Sequence, residues 1–196
     1  MKKLFLNIIV CIVFFGLPVV GQTTENKIIT INTDRSSLVL MARSEGSLFQ
    51  VSYGAIPESN TSERNATTSN RPPSREREFY PASGNGSITE PALQVTHADG
   101  NTSTELFYTG HETKAVDGNT ELTVIHLKDP QFPFYTDIYI KAFKKEDVLE
   151  MWTEIYHEEP SDVILYRYAS ASPLIRGNNY WLTQFHGNYK YEATLT

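Results

Sequence analysis

The chain has 196 residues, of which 40% are hydrophobic and 20% charged, so it can bury a core and is not a disordered tail. Its 17 basic and 23 acidic residues give a net charge of −6, which argues against a nucleic-acid partner. The single cysteine excludes an internal disulfide. The 11 tyrosines, 10 phenylalanines and 2 tryptophans favour strands over helices.

Residues 1–21 have the pattern of a secretory signal peptide. Two lysines near the start precede an apolar run from Leu4 to Val20, and Val19-Val20-Gly21 gives small residues at the cleavage position. A membrane anchor is the alternative, because a run of about 17 residues only just reaches the minimum for a span. We predict cleavage and export to the periplasm or the medium. The remaining 175 residues then have a net charge of −8, no cysteine and no membrane segment.

Apolar and polar residues alternate in short runs along the rest of the chain, as expected for half-buried strands. In the run 134–143, Phe134 and Ile138 share one face, while Asp137 and Lys141 lie on the other. The predicted strands cover 27–31, 38–40, 48–53, 93–97, 106–109, 122–127, 134–143, 148–156, 163–171, 181–185 and 190–195.

Residues that tolerate a positive φ lie between several of these runs. Ala98-Asp99-Gly100-Asn101, Asp117-Gly118-Asn119 and Arg176-Gly177-Asn178-Asn179 have the composition of hairpin turns. Only 144–152 resembles a helix, and its apolar residues fit a strand better. The sequence therefore predicts an all-β fold, an antiparallel β-sandwich with few or no helices.

Residues 57–91 depart from this pattern. They contain five prolines, clustered serine, asparagine and threonine, and a charged run from Arg71 to Glu78. A long stretch without regular structure is uncommon in a compact domain and is usually functional or disordered. We interpret the segment as a long polar excursion into solvent. A loop that reaches a partner subunit or a neighbouring domain is the alternative.

Residue types with catalytic or metal-binding chemistry form no recognisable pattern. The five histidines have no zinc-site spacing, and the processed chain has no cysteine. There is neither a phosphate-binding loop nor a serine nucleophile elbow. His97-Ala98-Asp99 is best explained by a turn. We therefore predict no catalytic residue, no metal site and no cofactor.

The carboxylates and tryptophans have simple structural explanations. Glu150 and Glu154 share a strand face about 13 Å apart, at roughly 3.3 Å per residue, which is wide for a glycosidase pair and typical of a solvated face. Glu158-Glu159, before a proline, indicates a turn. Trp152 and Trp181 have rings that stack on sugars, but we favour packing in the core or between domains.

Short motifs occur in a recognisable order along residues 27–196. They are Gly84-Asn85-Gly86, Glu90-Pro91-Ala92-Leu93, His97-Ala98-Asp99-Gly100, Leu106-Phe107-Tyr108, Leu127-Lys128-Asp129, 147–155, 166–171, 180–189 and Glu192. The ordered set resembles the amino-terminal domain of glycoside hydrolase family 36, the bacterial and fungal α-galactosidases. The resemblance implies a β-supersandwich that precedes a (β/α)8 barrel, in which two aspartates act as nucleophile and general acid/base with retention.

Neither aspartate can be assigned here, because the sequence ends at Thr196 and a barrel needs about 250 further residues. The resemblance implies that this domain serves domain packing and homo-oligomerisation, and that one of its loops approaches a neighbouring active site. In the corresponding segment, 51–56, Tyr53 and Gly54 fit the family, but Ala55 and Ile56 supply no cation. Tyr53 is therefore the candidate galactoside contact, with a core tyrosine as the alternative.

These observations predict the non-catalytic N-terminal domain of an exported α-galactosidase. We expect the chain to be a fragment, inactive by itself, with hydrolysis performed by a downstream barrel. A self-contained carbohydrate-binding or structural sandwich module is the alternative.

Overall fold

A computed structural model describes residues 25–56, 78–86 and 90–175. The predicted signal peptide, the turn at 176–179, Trp181 and the predicted strands 181–185 and 190–195 lie outside these residues. The described residues form nine strands and no helix: β1 Lys27–Asn32, β2 Ser36–Ala42, β3 Leu48–Ala55, β4 Leu93–Thr96, β5 Phe107–Ala115, β6 Thr120–Lys128, β7 Phe134–Phe143, β8 Val148–His157 and β9 Ile164–Tyr168.

The strands form three antiparallel sheets. One has the order β1-β2-β3, one pairs β4 with β9, and the largest has the order β5-β6-β7-β8. β7 and β8 pair without a bulge from Phe134 opposite His157 to Phe143 opposite Val148. The prediction of an antiparallel β-sandwich is confirmed. The described part of the chain contains no apolar helix of membrane-spanning length.

A single apolar cluster joins the sheets. Ile31 and Leu40 reach it from the three-stranded sheet, Leu93 from the two-stranded sheet, and Ile125 and Ile138 from the four-stranded sheet. Each of these side chains is at most 1% exposed. Burial of one such side chain stabilises the fold by about 1.5–3 kcal/mol relative to its exposed state. In β7, where buried and partly exposed positions alternate, the alternation in the sequence identified the buried face.

The described part of the predicted excursion, residues 78–86, differs from a solvated loop. Phe79, Tyr80 and Ala82 are 1–2% exposed and belong to the core cluster. The Tyr80 hydroxyl donates to the carbonyl oxygen of Ala169 at 2.7 Å. Two adjacent aromatic side chains are large enough to offset the polar composition around them, so this short segment packs inward.

The turn predictions had different outcomes. Asp117-Gly118-Asn119 joins β5 to β6, and the Asp117 carboxylate accepts the N–H of Asn119 at 2.7 Å, which confirms that hairpin. Ala98-Asp99-Gly100-Asn101 also forms a turn, with Gly100 at φ +87°. The prediction of a hairpin there is wrong, because β4 pairs with β9 and β5 with β6. The turn thus leads the chain from the two-stranded sheet toward the four-stranded sheet.

The β7–β8 hairpin has a turn that composition did not indicate. Asp147 adopts a left-handed φ of 59° at its tip. The carboxylate of Asp147 accepts hydrogen bonds from the hydroxyls of Thr33 and Ser36 in the β1–β2 turn. These contacts lower the pKa of Asp147, and burial opposes them only in part. The four-stranded and three-stranded sheets are thus joined at their hairpin tips as well as through the core.

Candidate functional site

The predicted sugar contact, Tyr53, lies near the end of β3 opposite Leu38. Its side chain is 38% exposed, so it is not a core tyrosine. Gly54 beside it has a φ of 150° and open space where a Cβ would project. Tyr53 is accessible to a ligand, and its contact with a galactoside stays a prediction.

Three polar residues in the interior have the connectivity of a hydrolase triad. Nε2 of His97 lies 2.9 Å from Oγ1 of Thr104, and Nδ1 lies 2.7 Å from Oε1 of Glu159. Because an ionised carboxylate only accepts hydrogen bonds, Nδ1 carries a proton. The second Glu159 oxygen accepts the N–H of Ala98 at 2.8 Å. Nucleophile, base and orienting acid are therefore present in order.

Burial excludes catalysis by this triad in the folded state. Thr104 is 0% exposed, and the side chains of His97 and Glu159 are 0% and 3% exposed. The ring of Phe132 stacks on His97 at 3.7 Å between ring centroids. No substrate can reach the Thr104 hydroxyl without opening this packing. The cluster is a structural clamp between the 98–101 turn and the connection from β8 to β9.

The electrostatics of the clamp favour an ionised Glu159. Burial raises the pKa of this carboxyl, but the hydrogen bonds from His97 and from the Ala98 N–H outweigh burial and leave the pKa below its ordinary value. The sequence indicated a turn at Glu158-Glu159 and at His97-Ala98-Asp99. The contact was missed because its partners are 62 positions apart and no local pattern relates them.

Asp129, in another of the resemblance motifs, is also structural. It is 2% exposed, and its Oδ1 accepts the N–H groups of Gln131 and Phe132. Its Oδ2 accepts the N–H of Glu105 at 3.0 Å. His97 and Asp129, which belong to two of these motifs, thus hold connections between strands in place.

The carboxylates weighed as a glycosidase pair are occupied by neighbours on the solvent side of β8. Glu150 faces Lys141 at 3.9 Å, and Glu154 accepts the Tyr139 hydroxyl at 3.1 Å. Trp152 lies between them and is half-buried, so it is not a core residue. The described residues contain no group of three side chains suited to hold a metal ion.

One exposed apolar surface stands out. We call it the β9 surface, formed by the side chains of Ile164, Leu165, Tyr166, Tyr168, Leu174 and Ile175, which are 53%, 40%, 65%, 69%, 37% and 61% exposed. The buried Gln50 holds the backbone of Leu174 through two hydrogen bonds of 2.7 and 2.8 Å. Large exposed apolar side chains in this number are typical of segments that contact other protein surfaces.

The described strands and their buried polar contacts define the class of the protein as an all-β sandwich domain. Comparison with protein families is more specific. Residues 21–196 match the glycosyl hydrolase family 36 N-terminal domain. The chain belongs to this family. A search of curated proteins found no match.

Solved structures with a similar fold include several α-galactosidases. The α-galactosidase from Lactobacillus brevis has a TM-score of 0.71 and 23% identity, over 87% of this chain and 27% of that one. AgaA from Geobacillus stearothermophilus has a TM-score of 0.62 and 22% identity, over 74% of this chain and 24% of that one. The galactosidase domain of the α-galactosidase-sucrose kinase AgaSK has a TM-score of 0.65 and 17% identity, over 74% and 24%. The chain spans about a quarter of the length of these proteins.

Proposed function

We propose that this chain is the non-catalytic N-terminal domain of an α-galactosidase and packs through the β9 surface against a catalytic domain of the same polypeptide. The single observation that carries the proposal is the family match over 21–196. The quarter-length span in α-galactosidases and the exposed β9 surface support it. A domain that covers Tyr166 and Tyr168 removes apolar area from water and stabilises both partners.

Activity separates this proposal from a catalytic role of the chain itself. We expect the 196-residue chain to release no chromophore from a chromogenic α-galactoside, and the longest product of the same gene to release it. Turnover by the purified 196-residue chain would overturn the proposal, and so would a gene that encodes no further domain. The variant Glu154→Gln controls for a contaminating hydrolase. Activity that is the same in this variant and in the wild type is that of a contaminant, because the substitution does not change a contaminating enzyme.

Contact through the β9 surface has its own measurement. Amide hydrogen exchange at 164–168 is expected to slow at least about ten-fold in the longer protein, since covered backbone exchanges only through opening. Exchange at Asp117-Gly118-Asn119, in the exposed β5–β6 turn, serves as the internal control and should not change. Equal exchange rates at 164–168 in both proteins would place the domain contact elsewhere.

Export and assembly complete the proposal. Residues 1–21 act as a cleaved signal peptide, so the exported protein begins at Gln22, which N-terminal sequencing checks. A chain that keeps Met1 and stays with the membrane would support the anchor instead.

Assembly and a sugar contact belong to the full-length protein. This protein forms a homo-oligomer, and sedimentation measures its mass. Tyr53 contacts a galactoside in it, and an unchanged KM in the variant Tyr53→Ala would contradict that contact.

A further inference from the structure

The solvent side of β7 and β8, which we call the outer face, carries two pairs of stacked aromatic rings. Tyr135 lies opposite Tyr156, with ring centroids 4.7 Å apart and planes at 8°. Tyr139 lies opposite Trp152, at 4.8 Å and 10°. The two pairs are four residues apart along the strand, or about 13 Å at roughly 3.3 Å per residue.

Two carboxylates occupy the position between the ring pairs. Asp137 and Glu154 lie directly opposite each other on β7 and β8. Like charges at this position destabilise a sheet. The pairing of two carboxylates by itself therefore works against the sheet, and the packing of β7 on β8 does not account for it.

Neighbouring donors hold both carboxylates in place. Nδ1 of His126 lies 2.8 Å from Oδ1 of Asp137. Glu154 accepts the Tyr139 hydroxyl at 3.1 Å and the indole N–H of Trp152 at 3.4 Å. Partial burial and the hydrogen bond to Glu154 raise the pKa of Tyr139, so its hydroxyl remains a donor at neutral pH. Each carboxylate oxygen keeps capacity for a further hydrogen bond.

The rest of the outer face is polar and of mixed charge. The Lys128 ammonium lies 5.2 Å from the centre of the Tyr135 ring, and Tyr135 donates its hydroxyl to Glu158 at 3.2 Å. Carboxylates at the centre repel phosphates and nucleic acids. Stacking within a pair covers one face of each ring. The remaining faces and edges, beside carboxylates that accept hydrogen bonds, favour a ligand with both apolar faces and hydroxyl groups, which describes a pyranose.

We propose that the outer face binds a neutral polysaccharide chain, with sugar rings packed on the Tyr139–Trp152 and Tyr135–Tyr156 pairs and sugar hydroxyls donating to Asp137 and Glu154. The distance between the pairs requires an extended chain, since one sugar ring cannot cover both. Binding here depends neither on the β9 surface nor on α-galactosidase activity, so it can fail while the proposed function holds.

Native affinity electrophoresis of the full chain tests the proposal. The gels contain soluble galactomannan, xyloglucan or hydroxyethylcellulose, and polygalacturonate serves as the anionic comparison. We expect at least one neutral polysaccharide to retard the chain, and Trp152→Ala and Tyr135→Ala each to weaken that binding about ten-fold. Tyr168→Ala, on the β9 surface, is the matched control and should bind normally.

Glu154→Gln provides a test that does not remove a ring. It relieves the repulsion from Asp137 and keeps the side-chain shape, so the melting temperature should stay the same or rise while polysaccharide binding weakens about ten-fold. Unchanged binding in this variant would overturn the proposal. Retardation by none of the neutral polysaccharides, or by polygalacturonate alone, would do the same.

Sedimentation of the variants tests whether a second copy of the chain, and not a polysaccharide, covers the outer face. A second copy of the chain predicts that Trp152→Ala lowers the sedimenting mass and leaves gel mobility in polysaccharide unchanged. That result would overturn the proposal in favour of a protein interface. Constant mass with lost retardation supports the polysaccharide.

Discussion

The outer face and the β9 surface both expose aromatic side chains, but their environments differ. On the outer face, Tyr156 is 49% exposed and stacks on Tyr135, and the polar tips of neighbouring rings donate to carboxylates. On the β9 surface, Tyr166 and Tyr168 are 65% and 69% exposed, and no ring in the described residues stacks on them.

This difference separates two uses of an exposed aromatic residue. Rings that pair with each other and satisfy their polar atoms are stable in water and leave a face open to a solvated ligand. Rings that lie singly among isoleucine and leucine gain most from a covering protein surface. The same residue types therefore support opposite expectations on two different sheets.

The largest effect on the 196-residue chain is expected at Glu159, in the connection from β8 to β9 that links the two surfaces. Glu159→Ala leaves two buried donors, Nδ1–H of His97 and the N–H of Ala98, without their acceptor, so the free energy of unfolding should fall by about 1–3 kcal/mol for each. Urea denaturation measures it. Glu158→Ala is the control; its exposed contact with Tyr135 limits the loss to about 1 kcal/mol. Equal losses in the two variants would contradict the clamp.

Acidification should weaken the contacts of Glu159 with His97 and Ala98. The pKa of Glu159 is lowered on folding, because the hydrogen bonds from His97 and Ala98 outweigh the effect of burial. The carboxylate therefore binds a proton less readily in the folded state, and its stabilisation is complete above the ordinary value of 4.5 and lost as pH falls through the lower folded value. Unfolding of wild type and Glu159→Gln, compared from neutral pH to about pH 3, should show a difference that shrinks in acid. A difference that grows would contradict the sign.

On the β9 surface, the double variant Ile164→Ser, Tyr166→Ser should affect two forms of the protein differently. In the 196-residue chain both side chains are exposed, so we expect a change within about 0.5 kcal/mol per substitution. In the longer protein each loses burial, and stability should fall by about 1.5–3 kcal/mol per side chain. Thermal unfolding of both forms checks this. Equal changes would show that the β9 surface stays uncovered.

The smallest effect is the difference in stability between two variants, each of which removes one tyrosine ring from one of the two surfaces. Tyr156→Ala removes a stacked ring and should cost about 0.5–1.5 kcal/mol beyond its buried area. Tyr168→Ala removes an unstacked ring and should change the stability of the 196-residue chain by at most about 0.5 kcal/mol. Urea denaturation of the two variants resolves the difference. A larger loss for Tyr168→Ala would reverse the comparison between the surfaces.

The strands were predictable because they depend on local patterns. The predicted run 134–143 is β7 with the same bounds, since a two-residue period decides which side chains face the core. The prediction of a hairpin at 98–101 was wrong, because turn composition indicates a change of chain direction but does not indicate which strand pairs with the strand before the turn. The burial of Phe79 was not predicted, because the polar composition of the surrounding segment indicated an exposed loop.

The sequence by itself determined the all-β class, the inward faces of the strands and, through ordered motifs, the family, because each of these depends on residue order along the chain. Only the tertiary structure decided that His97, Thr104 and Glu159 form a buried clamp, and that Asp137 and Glu154 lie between two ring pairs. Strand pairing and sheet packing bring distant positions together. A side chain's chemistry depends on those neighbours and on its distance from water.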